Sequence, residues 1–220
     1  MGMGEDVRCR IARRAAQEVS DGMVVNLGIG IPTLVPDYIK ADVHVLIHAE
    51  NGILGSGPTP APGKEDPYLC NAGGYPISLA KGGAYCDSAT AFAMIRTGRI
   101  DMTILGALEV SERGDLANWI VPGRRVPGIG GAMELAQKAR QVVVLMNHLN
   151  HAGESKLKSQ CTLPLTAPAC VNLIITDMAV FRVGAEGLIL CEIMAPYTAE
   201  QVIHHTDARV SLAEQMITIP

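Results

Sequence analysis

Apolar Val7, Ile11, Ala15 and Val19 recur at helical spacing with arginines on the other side, and they predict an amphipathic helix over 7–19. The pattern then changes. "MVVNLGIG" (23–30) is a short apolar run that breaks into glycines, as a buried strand does. Pro32 and Thr33 can open a second helix reaching about Lys40. "VHVLIHA" (43–49) is the next strand. This βαβ order predicts a parallel sheet covered by helices.

Further along, Asp87 or Ser88 caps a helix in "ATAFAMIRTG" that stops at Gly98. "IDMTILGALEV" (100–110) reads as a strand, and "SERGDLANWIV" as a turn leading into a second one. "GGAMELAQKAR" (130–140) is a helix opening at a glycine loop, followed by the strand "QVVVLMNH" (141–148). Beyond Lys156 come a strand in "VNLIITDMAVFRV", a hairpin at 184–187, the strand "LILCEIM" and a last helix from Thr198 to His205. No internal repeat or linker divides the chain. The reading is one α/β domain over 1–220, an open, mostly parallel sheet with antiparallel additions.

Composition narrows the function classes. The apolar content of 48% suffices for a buried core, and a net charge of −4 argues against a nucleic acid or an anionic membrane as partner. No apolar run approaches the roughly 20 residues of a membrane span. Six cysteines without a C-x-x-C pair, in a chain that opens with charged residues, read as free thiols of a cytoplasmic protein. The 23 glycines and 13 prolines cluster at 28–36, 52–63, 73–83 and 122–131, between apolar segments. Tight connections explain most of them; some loops can also bring backbone N–H groups close to a ligand.

Several motifs are incomplete. "GIGIPT" has Thr33 where a dinucleotide fingerprint needs its third glycine, and no Walker lysine follows. The six histidines have no zinc spacing, and no G-x-S-x-G elbow is present. Asn147, His148, His151 and Lys156 follow a strand, where sites of α/β sheets sit, and otherwise read as loop residues or backbone ligands. The stretch "VLIHAENGILGSGP" (45–58) is different. It ends an apolar strand in Glu50, with Asn51, Gly52 and further glycines behind it. Glu50 is then a turn residue facing water, a ribose ligand, or a reactive carboxylate with tightly folded backbone around it.

The segments "VVNLGIGIPTLVPDYI", "AENGILGSGP", "CDSATAFAMIRTGRIDMTILGALEVSERGDLANWIVPG" and "VPGIGGAMEL" resemble the B (β) subunit of family I CoA-transferases of the 3-oxoacid type. The likeness runs from about Val7 to Arg209. It implies the fold of the sugar-phosphate isomerase (NagB/RpiA-like) group and transfer of CoA between an acyl-CoA and a free carboxylic acid. Acetoacetate, succinate, acetate, butyrate and 3-oxoadipate are the acids of this group.

The resemblance makes Glu50 the nucleophile of a ping-pong reaction through a glutamyl-CoA thioester, with Gly131 giving an oxyanion N–H and Asn26 standing beside the glutamate. Gly28, Gly30, Asn51, Gly52, Gly74, Lys81 and Gly130 become candidate substrate contacts. It implies no metal and no bound cofactor, coenzyme A being a substrate. A separate A subunit would supply much of the CoA pocket, in an α2β2 assembly. Four positions depart from the family pattern: Ala49 where serine is common, Ala80 and Lys81 in place of an aliphatic and a proline, and Gly74 where several relatives carry a lysine. Lys81 can compensate for that missing lysine. An acyl-CoA hydrolase on the same scaffold, or a non-catalytic ligand-binding domain of this fold, would use the same elements differently.

Overall fold

The computed structural model describes residues 5–123 and 128–220, so Arg124 to Pro127, part of the predicted glycine loop and of the "VPGIGGAMEL" segment, lie outside the described residues. The parallel centre of the sheet is made of β1 (Val24–Leu27), β2 (Leu46–Ala49), β5 (Met102–Gly106), β8 (Gln141–Leu145) and β10 (Leu173–Ile175), in the order β2-β1-β5-β8-β10. These strands are mostly apolar because both faces are covered, with Asn26, His48 and Thr103 as buried polar exceptions. Val143 and Leu145 face one core with Ile11 and Ala15 of α1 (Glu5–Ala16). Val142 and Val144 face the other, with Phe181 and Leu116.

Antiparallel strands extend both edges. On one side β3 (Ile53–Ser56) and β4 (Leu79–Tyr85) follow β2; on the other, β11 (Ala179–Gly184), β12 (Gly187–Met194) and β13 (Val210–Ile219) complete ten strands, β13 pairing parallel to β12. A second sheet of β6 (Glu109–Ser111), β7 (Leu116–Ala117) and β9 (Leu157–Lys158) packs into the core with Phe181 and Val202. Part of the cover on that face is therefore sheet where helices are expected.

The predicted strand over 100–110 divides. It leaves the large sheet at Gly106 and resumes as β6, where the buried Glu109 carboxylate accepts bonds from the N–H groups of Thr162 and Leu163 and from the Thr162 hydroxyl. The segment predicted as a helix from Pro32 is a tighter 3-10 turn, Ile31–Tyr38. Pro32 and Pro36 have no N–H to donate, and the bonds at its ends run from Thr33 to Gly30 and from Ile39 to Pro36. "VNLIITDMAVFRV" forms two strands, β10 and β11. The other helices, α2 (Ser88–Arg96), α3 (Ala132–Lys138) and α4 (Ala199–His204), lie where expected, with Asp87 capping α2 and a Thr198–Gln201 capping box opening α4.

His148, fully buried, sits between the hydroxyls of Thr176 (Nδ1, 3.1 Å) and Thr206 (Nε2, 3.0 Å). Burial pushes its pKa down to about 4, against the opposing pull of Asp177. The unfolded chain, with an ordinary histidine near 6.5, takes up a proton that the native state refuses. Its contribution is therefore intact above about pH 6.5 and lost as the pH falls toward 4, about 3 kcal/mol in all. Urea titrations across that window should show the decline, and His148→Gln should flatten it.

Candidate active site

Glu50 is the first residue of the three-residue turn between β2 and β3. Ala49 pairs with Ile53, the Gly52 N–H donates to the Ala49 carbonyl at 3.0 Å, and Gly52 takes a φ of 115°. A Cβ on Gly52 would run into the carbonyl oxygen of Cys86, whose own N–H donates to the Gly52 carbonyl at 2.9 Å. The turn is thus bonded down against the entry to α2. Gly52→Ala is expected to cost about 2–4 kcal/mol, seen as a lower urea midpoint. An unchanged midpoint would mean that the turn is not held this way.

The parallel register puts three polar side chains in one row beside Glu50. Asn26 of β1 stands opposite His48 of β2 and Thr103 of β5. All three are buried, on the face opposite the α1 core that takes their neighbours Val25, Met102 and Ile104. The Asn26 Nδ2 donates to Glu50 Oε2 at 3.1 Å and to the His48 carbonyl at 3.2 Å, and the Thr103 hydroxyl donates to Asn26 Oδ1 at 3.4 Å. Burial lowers the His48 pKa, with its bond to the Ala91 carbonyl and the Glu50 charge opposing.

Gly131, at the start of α3, lies on the other side of Glu50. A Cβ there would stand 3.5 Å from Glu50 Cγ and 3.3 Å from the Phe92 ring of α2, so only glycine leaves that side open. Arg96 fixes α2 to α3: it pairs with Glu134 at 2.8 Å and lies 5.5 Å over the Phe92 ring.

Glu50, Asn26, Gly28, Gly130 and Gly131 line one cavity of about 570 Å³, together with Asn118 and Trp119. Across Gly28 and Ile29 lies a second cavity of about 400 Å³, bordered by Gly30, His48 and Tyr75. A third, of about 890 Å³, holds Asn147, His151 and Lys156. The Lys156 amine is lowered to about 8 by burial and donates to the Ala107 carbonyl at 2.6 Å, on the wall of the Glu50 cavity.

Of the residues expected at the site, Glu50, Asn26, Gly131, Gly130 and Gly28 come together, Gly30 borders the two neighbouring cavities, and Gly52 shapes the turn. Asn51 turns away, its amide donating to the Cys70 carbonyl at 2.8 Å. Gly74 closes a turn with Asn71, and Lys81 is exposed on the edge strand β4; neither lines the Glu50 cavity. His48, Thr103, Asn118 and Trp119 also line or border the site; sequence reasoning gives none of them a role, although Asn118 and Trp119 fall in the "LANW" stretch that carries part of the resemblance. The position of His48 two residues before Glu50 is the one available signal for it. Among the described residues, no three His, Cys, Asp or Glu side chains gather as a metal site, and no helix is long and apolar enough to cross a membrane.

The family model for coenzyme A transferases matches residues 8–205. A probable coenzyme A transferase, beta chain, of Bacillus subtilis is 56% identical over 212 residues, covering 96% of this chain and 98% of its own. The B component of a probable succinyl-CoA:3-ketoacid coenzyme A transferase of the same organism is 49% identical, covering 97% of this chain and 99% of its own. Among solved structures, the acyl-CoA transferase YdiF apoenzyme of Escherichia coli O157:H7 superposes with a TM-score of 0.78 at 20% identity, over 100% of this chain and 44% of that one.

Proposed function

The chain belongs to the coenzyme A transferase family, and from that premise we propose that it is the B subunit of a 3-oxoacid-type enzyme in which Glu50 carries CoA from an acyl donor to a free carboxylic acid. The observation that carries this reading is the setting of Glu50: a carboxylate on a braced turn, bonded by Asn26 on one side and left open by Gly131 on the other, in a cavity of about 570 Å³.

The Glu50 carboxylate attacks the thioester carbonyl; the C–S bond breaks, CoA leaves as a thiolate, and an acyl-glutamyl anhydride forms. The thiolate then attacks the Glu50 carbonyl carbon and expels the donor's acid as a carboxylate, leaving a glutamyl-CoA thioester. The acceptor acid runs the two steps in reverse. Each step exchanges one activated acyl bond for another, so the thioester energy is conserved, whereas a serine ester would be too stable for easy return of the acyl group. Each attack also develops an oxyanion, for which the Gly131 N–H at the head of α3 is the donor this chain supplies. The Asn26 amide orients the carboxylate.

The relative named for succinyl-CoA and 3-ketoacids supports a short 3-oxo or dicarboxylic acid as substrate. The naming of the relatives as the B or beta component supports a separate A subunit as partner; in this reading that subunit completes the CoA pocket and brings a second oxyanion donor, in an α2β2 assembly. Lys81 and the Gly74 turn are assigned to the CoA side of that completed pocket. The test is a peptide mass map after incubating the co-purified complex with succinyl-CoA or acetoacetyl-CoA in the absence of acceptor. A CoA adduct on the Glu50 peptide, discharged by acetate or succinate, is the expected result. Steady release of free CoA without an adduct would indicate a hydrolase instead.

A further inference from the structure

The His48 side chain makes two bonds that together determine where its proton lies. Its Nε2 is 3.2 Å from the Ala91 carbonyl oxygen, which can only accept, so Nε2 carries the hydrogen. The residue is 2% exposed and burial favours its neutral form, which leaves a lone pair on Nδ1. That lone pair faces the Asn26 Nδ2 at 3.3 Å. The neighbours of the Asn26 Nδ2 that can only accept, the Glu50 carboxylate, the His48 carbonyl and His48 Nδ1, share its two hydrogens and specify one orientation, the N–H group toward Glu50, which the Thr103 hydroxyl accommodates by donating to Oδ1.

We propose that His48 is a positioning residue for the transfer reaction: anchored to α2 through Ala91, it holds the Asn26 amide in the orientation that donates to Glu50. This rests on the reading of Glu50 as nucleophile. It also gives α2 a double part, because the next residue, Phe92, packs against Gly131. One helix therefore fixes the groups on both sides of the carboxylate. The other tautomer, or an imidazolium, would point a hydrogen from Nδ1 at the Asn26 N–H groups and push the amide off Glu50.

A double-mutant cycle tests this in the complex with the A subunit. His48→Leu removes the side-chain acceptor while the backbone carbonyl at that position remains, and is expected to lower kcat by about 10-fold to 100-fold with little change in KM for acyl-CoA. His48→Asn puts an oxygen near the place of Nδ1 and is expected to recover most of the lost rate. In an Asn26→Ala background, His48→Leu should cost almost nothing further, because its effect passes through the amide. Equal losses in the two backgrounds, or no loss in either, would overturn the proposal. If His48→Leu does not fold, the cycle is run with His48→Asn and His48→Gln, the second keeping the reach to Ala91 but not the acceptor; Gln as active as Asn would overturn it equally. Absence of a CoA adduct on Glu50 in the unsubstituted complex would instead count against Glu50 as nucleophile.

Discussion

Glu50→Gln, assayed in the complex with the A subunit, is expected to lower CoA transfer by on the order of 10⁴-fold to 10⁶-fold, the range seen when a covalent nucleophile is removed. The size of the effect follows from the chemistry. A carboxamide oxygen is too weak a nucleophile to open a thioester, and no anhydride can form on it. The fold should not notice the change. Glutamine has the same shape, its carbonyl can accept the Asn26 N–H that now meets Glu50 Oε2 at 3.1 Å, and the residue is only half-buried. Stability should stay within about 0.5 kcal/mol, as for ordinary surface changes. The measurements are the initial rate of acyl exchange, a mass map lacking the CoA adduct, and a melting curve that overlays the parent's. A residual rate above about one hundredth of the parent's would mean that some other group carries the acyl unit or that binding alone drives the exchange.

The parts of the fold that are legible in the sequence are those where burial on two faces forces a continuous apolar run. "QVVVLMNH" and "VVNLGIG" had to be central strands, and the glycines and caps around α2 and α3 mark their ends. The parts that are not legible lie at the margins. β3 and β4 contain Gly55, Gly82 and Gly83, which break any apolar–polar alternation of residue types, and β13 lies largely exposed at the sheet edge, so no face of it had to be apolar. At the site the division is similar. A charge between an apolar strand and a glycine turn singles out Glu50 as a candidate but leaves a turn residue or a ribose ligand open, so its role, like that of Gly131, comes from the resemblance. The row of His48, Asn26 and Thr103 could not be read, because it depends on how three strands distant in the chain align, and that register is fixed by the packing of the whole sheet. Glu50 is a turn residue, as its flanking glycines suggest, but in a turn braced so that its carboxylate meets Asn26 and lies beside Gly131.

Gly131→Ala should separate catalysis from stability. Gly131 has a φ of −81°, which alanine adopts without strain, and alanine loses less backbone freedom than glycine on folding. The added Cβ would stand 3.3 Å from the Phe92 ring, tight enough that the ring must shift by a few tenths of an ångström, so the net change in stability should be within about 1 kcal/mol. The same methyl would lie 3.5 Å from Glu50 Cγ, on the side of the carboxylate that Asn26 leaves free. A thioester attacked from that side needs its carbonyl oxygen near the Gly131 N–H as negative charge develops. Displacing it from that donor should lower kcat by about 10²-fold to 10³-fold, the loss typical of an oxyanion donor. The expected result is a protein with a parental melting temperature and far slower formation of the Glu50 adduct. If the adduct formed at the parental rate, the thioester would have to approach Glu50 from another side, and the head of α3 would be a packing surface for Phe92 alone.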